Sequence, residues 1–261
     1  MELVERCALL LRRRFLNETV RRHFAAVLAC MLVGGSLVKE LWPLPDTYLN
    51  NKRNVLNVYF VKLSWGWTFC LLLPFIALTN YVLSQSVRLV LRRLSSLLVG
   101  TVVWYLCTSF FLYVEHITGS CYDSEALLEL KSQHSNRSDC KLNDGYWHGF
   151  DISGHCFLLP YCVLMIMEET SVIHDDRLER HWQKTAINVL FVALGSLTII
   201  WVWMFFCTAI YFHDIWQKLL GTAFGITGWL VTYRWWYLKP LSPGLPPRRT
   251  SYKAKPWGYH N

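Results

Sequence analysis

His155 and His213 are the residues of this chain whose setting suggests chemistry. His155 closes the run Asp151-Ile152-Ser153-Gly154-His155, after which the sequence is apolar as far as Glu168-Glu169. An aspartate or serine ahead of an apolar run signals a helix N-cap, so His155 falls in the first turn of a helix entering lipid. Ionisable side chains at that depth are costly and mark functional positions. His213 stands in a polar turn, His213 to Lys218, between two apolar runs. Two imidazoles meeting at one membrane surface can divide a displacement at phosphorus. One attacks as a neutral nucleophile and the other protonates the departing oxygen.

Such a nucleophile needs its second ring nitrogen oriented by an acceptor. Gln217 lies four residues after His213, shares its helical face and can supply a carbonyl oxygen. Asp214 is adjacent and could do so from a turn. Lys218 can contact a phosphate, while Lys52, Arg53 and Lys62 approach the same surface; phosphoryl transfer depends on charge of that sign. His116, His134 and His148 share this side, so the residues alone do not single out the pair. Ser153-Gly154 reads equally as a cap and turn, and Glu168-Glu169 as interfacial charges on the far side.

The elements that must position these groups are apolar segments near 24–41, 58–78, 94–114, 152–167, 186–212 and 219–238. Most are close to the roughly 20 residues that a bilayer core requires, while 152–167 is short and 186–212 unusually long. The chain is 53% hydrophobic with 13 Trp and 13 Tyr, too apolar for an ordinary soluble domain and rich in interface-seeking aromatics. The expected fold is an all-α polytopic membrane protein of six transmembrane helices. A basic arm, 1–23, would precede the membrane domain, 24–238, as a solvated arm or as an interfacial helix with Leu9, Leu10, Phe15 and Leu16 toward lipid. A Pro-rich basic tail, 239–261, is expected to be disordered.

Lys and Arg concentrate in the arm, in 88–93, in 177–184 and in the tail, which puts both termini in the cytoplasm. That distribution accounts for the net charge of +8 without nucleic acid. The acidic loop 115–150 and both histidines then share the opposite face. The nine cysteines form no CxxC and no metal-spaced cluster. Cys121 and Cys140 flank the loop and could pair in an oxidising compartment, or remain two thiols. No metal or organic cofactor is expected.

The runs KELWPLPDTYLNNKRNVLNVYFVKLSWGWTFCLLLPFIALTNY, WHGFDISGHCFLL and CTAIYFHDIWQKLLGTAFG closely resemble the fat storage-inducing transmembrane proteins. The likeness covers nearly the whole chain and is weakest in the first twenty residues, the acidic loop and the tail. That family is in turn similar to the lipid phosphate phosphatases, whose helical bundle the resemblance implies. Ser153-Gly154-His155 matches part of their PSGH motif, with Ile152 in place of Pro, and His213 matches their nucleophile. Their Ser-Arg pair falls on Phe206 and Cys207, their Asp on Gln217, and Glu115 and His116 stand where a basic motif would close the third span. The resemblance implies an endoplasmic reticulum enzyme that cleaves the diphosphate of fatty acyl-CoA at the lumenal face, with His213 attacking and His155 serving as acid. The products would be an acyl 4'-phosphopantetheine and adenosine 3',5'-bisphosphate, and the role would be in lipid droplet formation. The competing expectation is a non-enzymatic membrane protein that binds triacylglycerol or diacylglycerol and partitions it into droplets.

Two sequons test the topology, Asn136-Arg137-Ser138 in the loop and Asn17-Glu18-Thr19 in the arm. Endoglycosidase treatment should shift the mobility of the wild type and leave Asn136→Gln unchanged; sugar on Asn17 would overturn the orientation.

Overall fold

The computed structural model describes residues 2–15, 17–42, 45, 47–51, 53–123 and 136–247. It is almost wholly helical. The chain opens with α1 (Glu2–Phe15) and α2 (Glu18–Leu41), then passes through short 3-10 and π turns into α3 (Ser64–Ser84). Gln85, at φ 52°, ends α3, and α4 (Val87–Thr118) follows after only two residues. A two-stranded antiparallel hairpin, β1 (Ser120–Tyr122) with β2 (Tyr146–His148), carries the short α5 (Arg137–Leu142) between its strands. Then come α6 (Gly154–Glu169), α7 (Asp176–Arg180), α8 (Lys184–Tyr211) and α9 (Ile215–Trp229), the last continued by π and 3-10 turns to Leu238.

The architecture is a bundle built around α6. Every residue from Cys156 to Glu169 is buried, and α9, α8, α3, α2 and α4 all pack on this helix. A helix that is apolar on all sides is a core helix, and this one is shielded from lipid by its neighbours. Its closest partner is α9. A Cβ at Gly221 would overlap Ser153 O, and one at Gly225 would overlap Phe157 O, while Gly228 faces Tyr161. The matched order of these contacts makes α6 and α9 parallel, with Gly221-xxx-Gly225 letting the backbones meet.

Two polar layers close the bundle. At the end of α6, Glu168 and Glu169 are each 1% exposed. Glu168 pairs with Arg21 of α2 at 3.3 Å and with Arg234 at 2.8 Å. Glu169 pairs with Arg93 of α4 at 2.6 Å and accepts from Tyr233 Oη at 2.6 Å. Arg93 and Arg92 also donate to carbonyls of Pro240, Ser242 and Gly244. The opposite layer holds the start of α6, the ends of α2 and α8, and the stapled hairpin, in which Cys121 and Cys140 form a disulfide.

Several expectations change. Glu168 and Glu169 are not interfacial but buried, because three arginines from other segments converge on them. The connector expected over 79–93 shrinks to Gln85 and Ser86, since arginine is a good helix former and Arg92 and Arg93 find partners within the fold. Residues 239–247 of the tail are ordered by those arginines; the rest of the tail lies outside the described residues. The arm is a helix, with Ala8 buried and Leu11 against Gly195 of α8, while Leu9 and Leu10 face outward.

Among the described residues, five helices are long and apolar enough to cross a membrane: 18–41, 56–84, 87–118, 154–174 and 184–211. The sixth expected segment, 219–238, is not among them, yet α9 with its continuation runs the full length of α6, from Ser153 to Glu169. Removing Glu169 should strand the Arg93 guanidinium in the bundle, a loss of about 3–5 kcal/mol. Thermal unfolding of Glu169→Ala in detergent micelles should show this as a clearly lowered midpoint, and an unchanged midpoint would contradict the buried pair.

Candidate active site

The site forms where two helix starts and two helix ends meet. Ser153 is the N-cap of α6: its Oγ accepts from Cys156 N at 3.3 Å, and its own amide donates to Gln217 O at 3.2 Å. His155 follows in the first turn and is half-buried. His213 and Lys62 lie near enough to act on it electrostatically. Among the described residues nothing hydrogen-bonds the His155 ring. Gly154 is exposed, and a Cβ there would touch nothing within 4 Å. Space is therefore open beside Gly154, and a helix start is suited to an anion.

His213 sits in the turn between α8 and α9 at φ 53°, a left-handed conformation that costs a non-glycine residue about 1–2 kcal/mol. Three bonds hold the turn. Lys39 Nζ, at the end of α2, donates to His213 O at 2.6 Å. Lys218 Nζ, 1% exposed, donates to Ala209 O at 2.7 Å and so satisfies a carbonyl left open where α8 ends. Gln217, in the first turn of α9, accepts from the Asp214 amide through Oε1 at 3.2 Å.

That last bond settles the histidine tautomer. A backbone N–H can only donate, so the Gln217 atom facing it is the oxygen. The same Oε1 lies 3.2 Å from His213 Nδ1. Oxygen accepts only, so Nδ1 carries a proton, and in the neutral ring Nε2 then holds the lone pair. The Asp151 carboxylate, 3.7 Å from Nδ1, favours the same tautomer. An imidazole in this state, beside a second imidazole at a helix start, is equipped for nucleophilic attack assisted by an acid.

The structure thus brings Ser153, Gly154, His155, His213, Gln217 and Lys218 into one layer. Lys218 is used beneath the turn rather than on its open side. Arg53 is exposed in the connector ahead of α3, where its amide donates to Asn51 Oδ1 at 2.8 Å, and no contact joins it to the histidines. Lys52 lies outside the described residues. Asn136 is exposed at the start of α5. Two participants were missed by the sequence reading. Lys39 carries no motif of its own, and Asp151 enters only as part of a capping signal. Placing α2 and α8 parallel would have brought Lys39 level with His213.

The family model for the fat storage-inducing transmembrane proteins matches residues 45–193 and 174–233. The chain belongs to that family. It is 66% identical over its whole length, and that of the relative, to acyl-coenzyme A diphosphatase FITM2 of Xenopus tropicalis. The FITM2 proteins of Mus musculus and Homo sapiens are 59% and 57% identical, each alignment covering 98% or more of both chains. Fat storage-inducing transmembrane protein 1 of Homo sapiens is 33% identical over 88% of this chain and 78% of its own. No solved structure matches.

The positive φ separates side-chain chemistry from folding at His213. His213→Gly should unfold at or above the wild-type temperature, because glycine relieves the left-handed strain. His213→Val should lose at least about 1 kcal/mol. A large drop in the glycine variant would mean that the Gln217 bond, not the backbone, holds the turn.

Proposed function

We propose that this protein hydrolyses the phosphoric anhydride of fatty acyl-CoA. The observation that carries the reading is the Gln217 Oε1 contact on His213 Nδ1 in a turn beside His155, supported by relatives named acyl-coenzyme A diphosphatase. The diphosphate would lie against the helix start at Gly154 and His155, with Lys62 and the turn held by Lys39 supplying positive charge. Nε2 of His213 attacks one phosphorus; the bond to the bridging oxygen breaks, its electron pair passes to that oxygen, and His155 delivers the proton. Water then cleaves the phosphorus–nitrogen bond with His155 as base, which returns both imidazoles to their starting states. The products are acyl 4'-phosphopantetheine and adenosine 3',5'-bisphosphate. Gln217 keeps Nδ1 protonated during attack, in the position where the phosphatase relatives carry an aspartate.

The acyl chain stays in the bilayer while the CoA head reaches the histidines. This reading includes six spans, cytoplasmic termini and a lumenal site in the endoplasmic reticulum membrane. The Cys121–Cys140 disulfide supports the lumenal assignment, because disulfides persist in oxidising compartments. Consumption of acyl-CoA there would serve lipid droplet formation.

A second reading rests on a separate observation. An apolar groove of about 840 Å³ lies between α4 and the continuation of α9, lined by Leu98, Val99, Val102, Val103, Val231 and Leu241. It could hold neutral lipid, triacylglycerol or diacylglycerol, in a protein that partitions it without catalysis.

One experiment separates the two. Purified protein in nanodiscs is given oleoyl-CoA, with products identified by mass spectrometry, beside His155→Ala and His213→Gly. Acyl phosphopantetheine from the wild type, lowered at least about a thousandfold in both variants, is expected for a nucleophile and acid acting as a unit. Folded wild type without turnover would leave the lipid-partitioning reading.

A further inference from the structure

The end of the bundle remote from the histidines carries a second constellation that the proposed hydrolysis does not use. Between α2 and α9 lies a cavity of about 450 Å³, lined by Glu18, Arg21, Arg22, Ala25, Ala26, Ile226, Trp229, Leu230 and Arg234. Its wall changes character with depth. Charged residues come from the start of α2 and the continuation of α9, and the two alanines with Ile226 and Leu230 make the apolar remainder.

Two features set this cavity apart from a solvated rim. First, guanidiniums from separate helices converge on it. Arg234 stacks over the Trp229 ring at 4.8 Å and, with Arg21, holds Glu168 behind the cavity wall. Arg22 stands exposed at its edge. Three guanidiniums face Glu18 and the shared Glu168, so the surroundings favour an anion. Second, Trp229 is only 4% exposed, and its indole N–H has no hydrogen-bond partner among the described residues. Indole is a donor only, and a buried donor without an acceptor is costly. The Nε1 atom itself is closed off from the cavity, so what Trp229 offers there is the ring that carries Arg234.

An anion alone would use the arginines and leave the alanine-lined part empty. A neutral lipid would fill that part and leave the arginines unanswered. We propose that the cavity binds an anionic glycerophospholipid from the leaflet opposite the histidines. Its phosphoester oxygens accept from Arg22 and Arg234, and its chains descend past Ala25, Ala26, Ile226 and Leu230. Basic pockets between membrane helices recognise phospholipid heads in this way.

The test is native mass spectrometry of the detergent-purified full chain. It is offered phosphatidylinositol 4-phosphate and phosphatidylcholine of identical acyl chains at equal concentration. The wild type should retain one phosphoinositide in preference to phosphatidylcholine. Arg22→Ala should reduce that retention on the order of fivefold while the melting temperature holds. Arg22 is exposed and stands outside the Glu168 ion pairs, so its removal leaves the fold intact. Equal retention of both lipids, or unchanged retention by Arg22→Ala, would overturn the proposal. Displacement of the lipid by inorganic phosphate at equal concentration would reduce the cavity to a free-phosphate site and overturn it as well.

Discussion

Two neighbouring carboxylates buried at the end of one helix are the constraint on which the bundle depends. Desolvating a single carboxylate costs several kcal/mol unless partners surround it, and Glu168 and Glu169 stand side by side at 1% exposure. Their partners come from α2, from α4 and from the continuation of α9. Apolar packing cannot fix depth in a bundle whose outer faces meet lipid tails, because sliding a helix exchanges one apolar contact for another. Charge pairs can. The cluster sets the axial position of three segments relative to α6, and the opposite ends of α2 and α6 and the start of α9 then arrive level with one another.

The histidine layer inherits that registry. Lys39 can reach His213 because Arg21, on the same helix, is pinned at the other end. Ser153 can bond Gln217 because Gly221 and Gly225 bring α9 against α6, and Tyr233 stops it sliding. Within the layer, backbone and side chain share the work. Lys218 caps the end of α8, Gln217 closes the start of α9, and the residue left between them is His213 in a conformation it would not choose alone. Strain of this sort persists where surrounding bonds over-determine it, and it is concentrated at functional positions.

Much of this could be read from the residues. The Ser153 cap, the Gln217 spacing and the long eighth helix follow from local rules that the chain obeys in place. The resemblance to a family narrowed the chemistry further. What stayed hidden was the difference between lipid-facing and protein-facing apolar surface. Leu164 and Leu106 look alike in a hydropathy profile, yet one is buried in α6 and the other faces outward on α4. Hence α6 read as a short span when it is the axis of the bundle. Hence, too, Glu168-Glu169 passed for interfacial charges, since nothing local announces arginines at positions 21, 93 and 234. The ordered stretch after Leu238 was missed for the same reason: Arg92 and Arg93, about 150 residues earlier, hold it.

The parallel pairing of α6 with α9 has a consequence for biogenesis. A ribosome delivers Arg21 and Arg93 before Glu168 and Glu169 emerge, so the acidic pair is met by basic partners as soon as it is made. Arg234 and Tyr233 come more than sixty residues later, after α8 has already turned back. Until then α6 lacks its closest neighbour, and the groove that receives Gly221 and Gly225 lies open to lipid or to an insertion factor. His213 and the residues that shape its turn also belong to this last portion of synthesis. A nascent chain released early would hold one imidazole without the other, and the site would come into being only when the final helix docks.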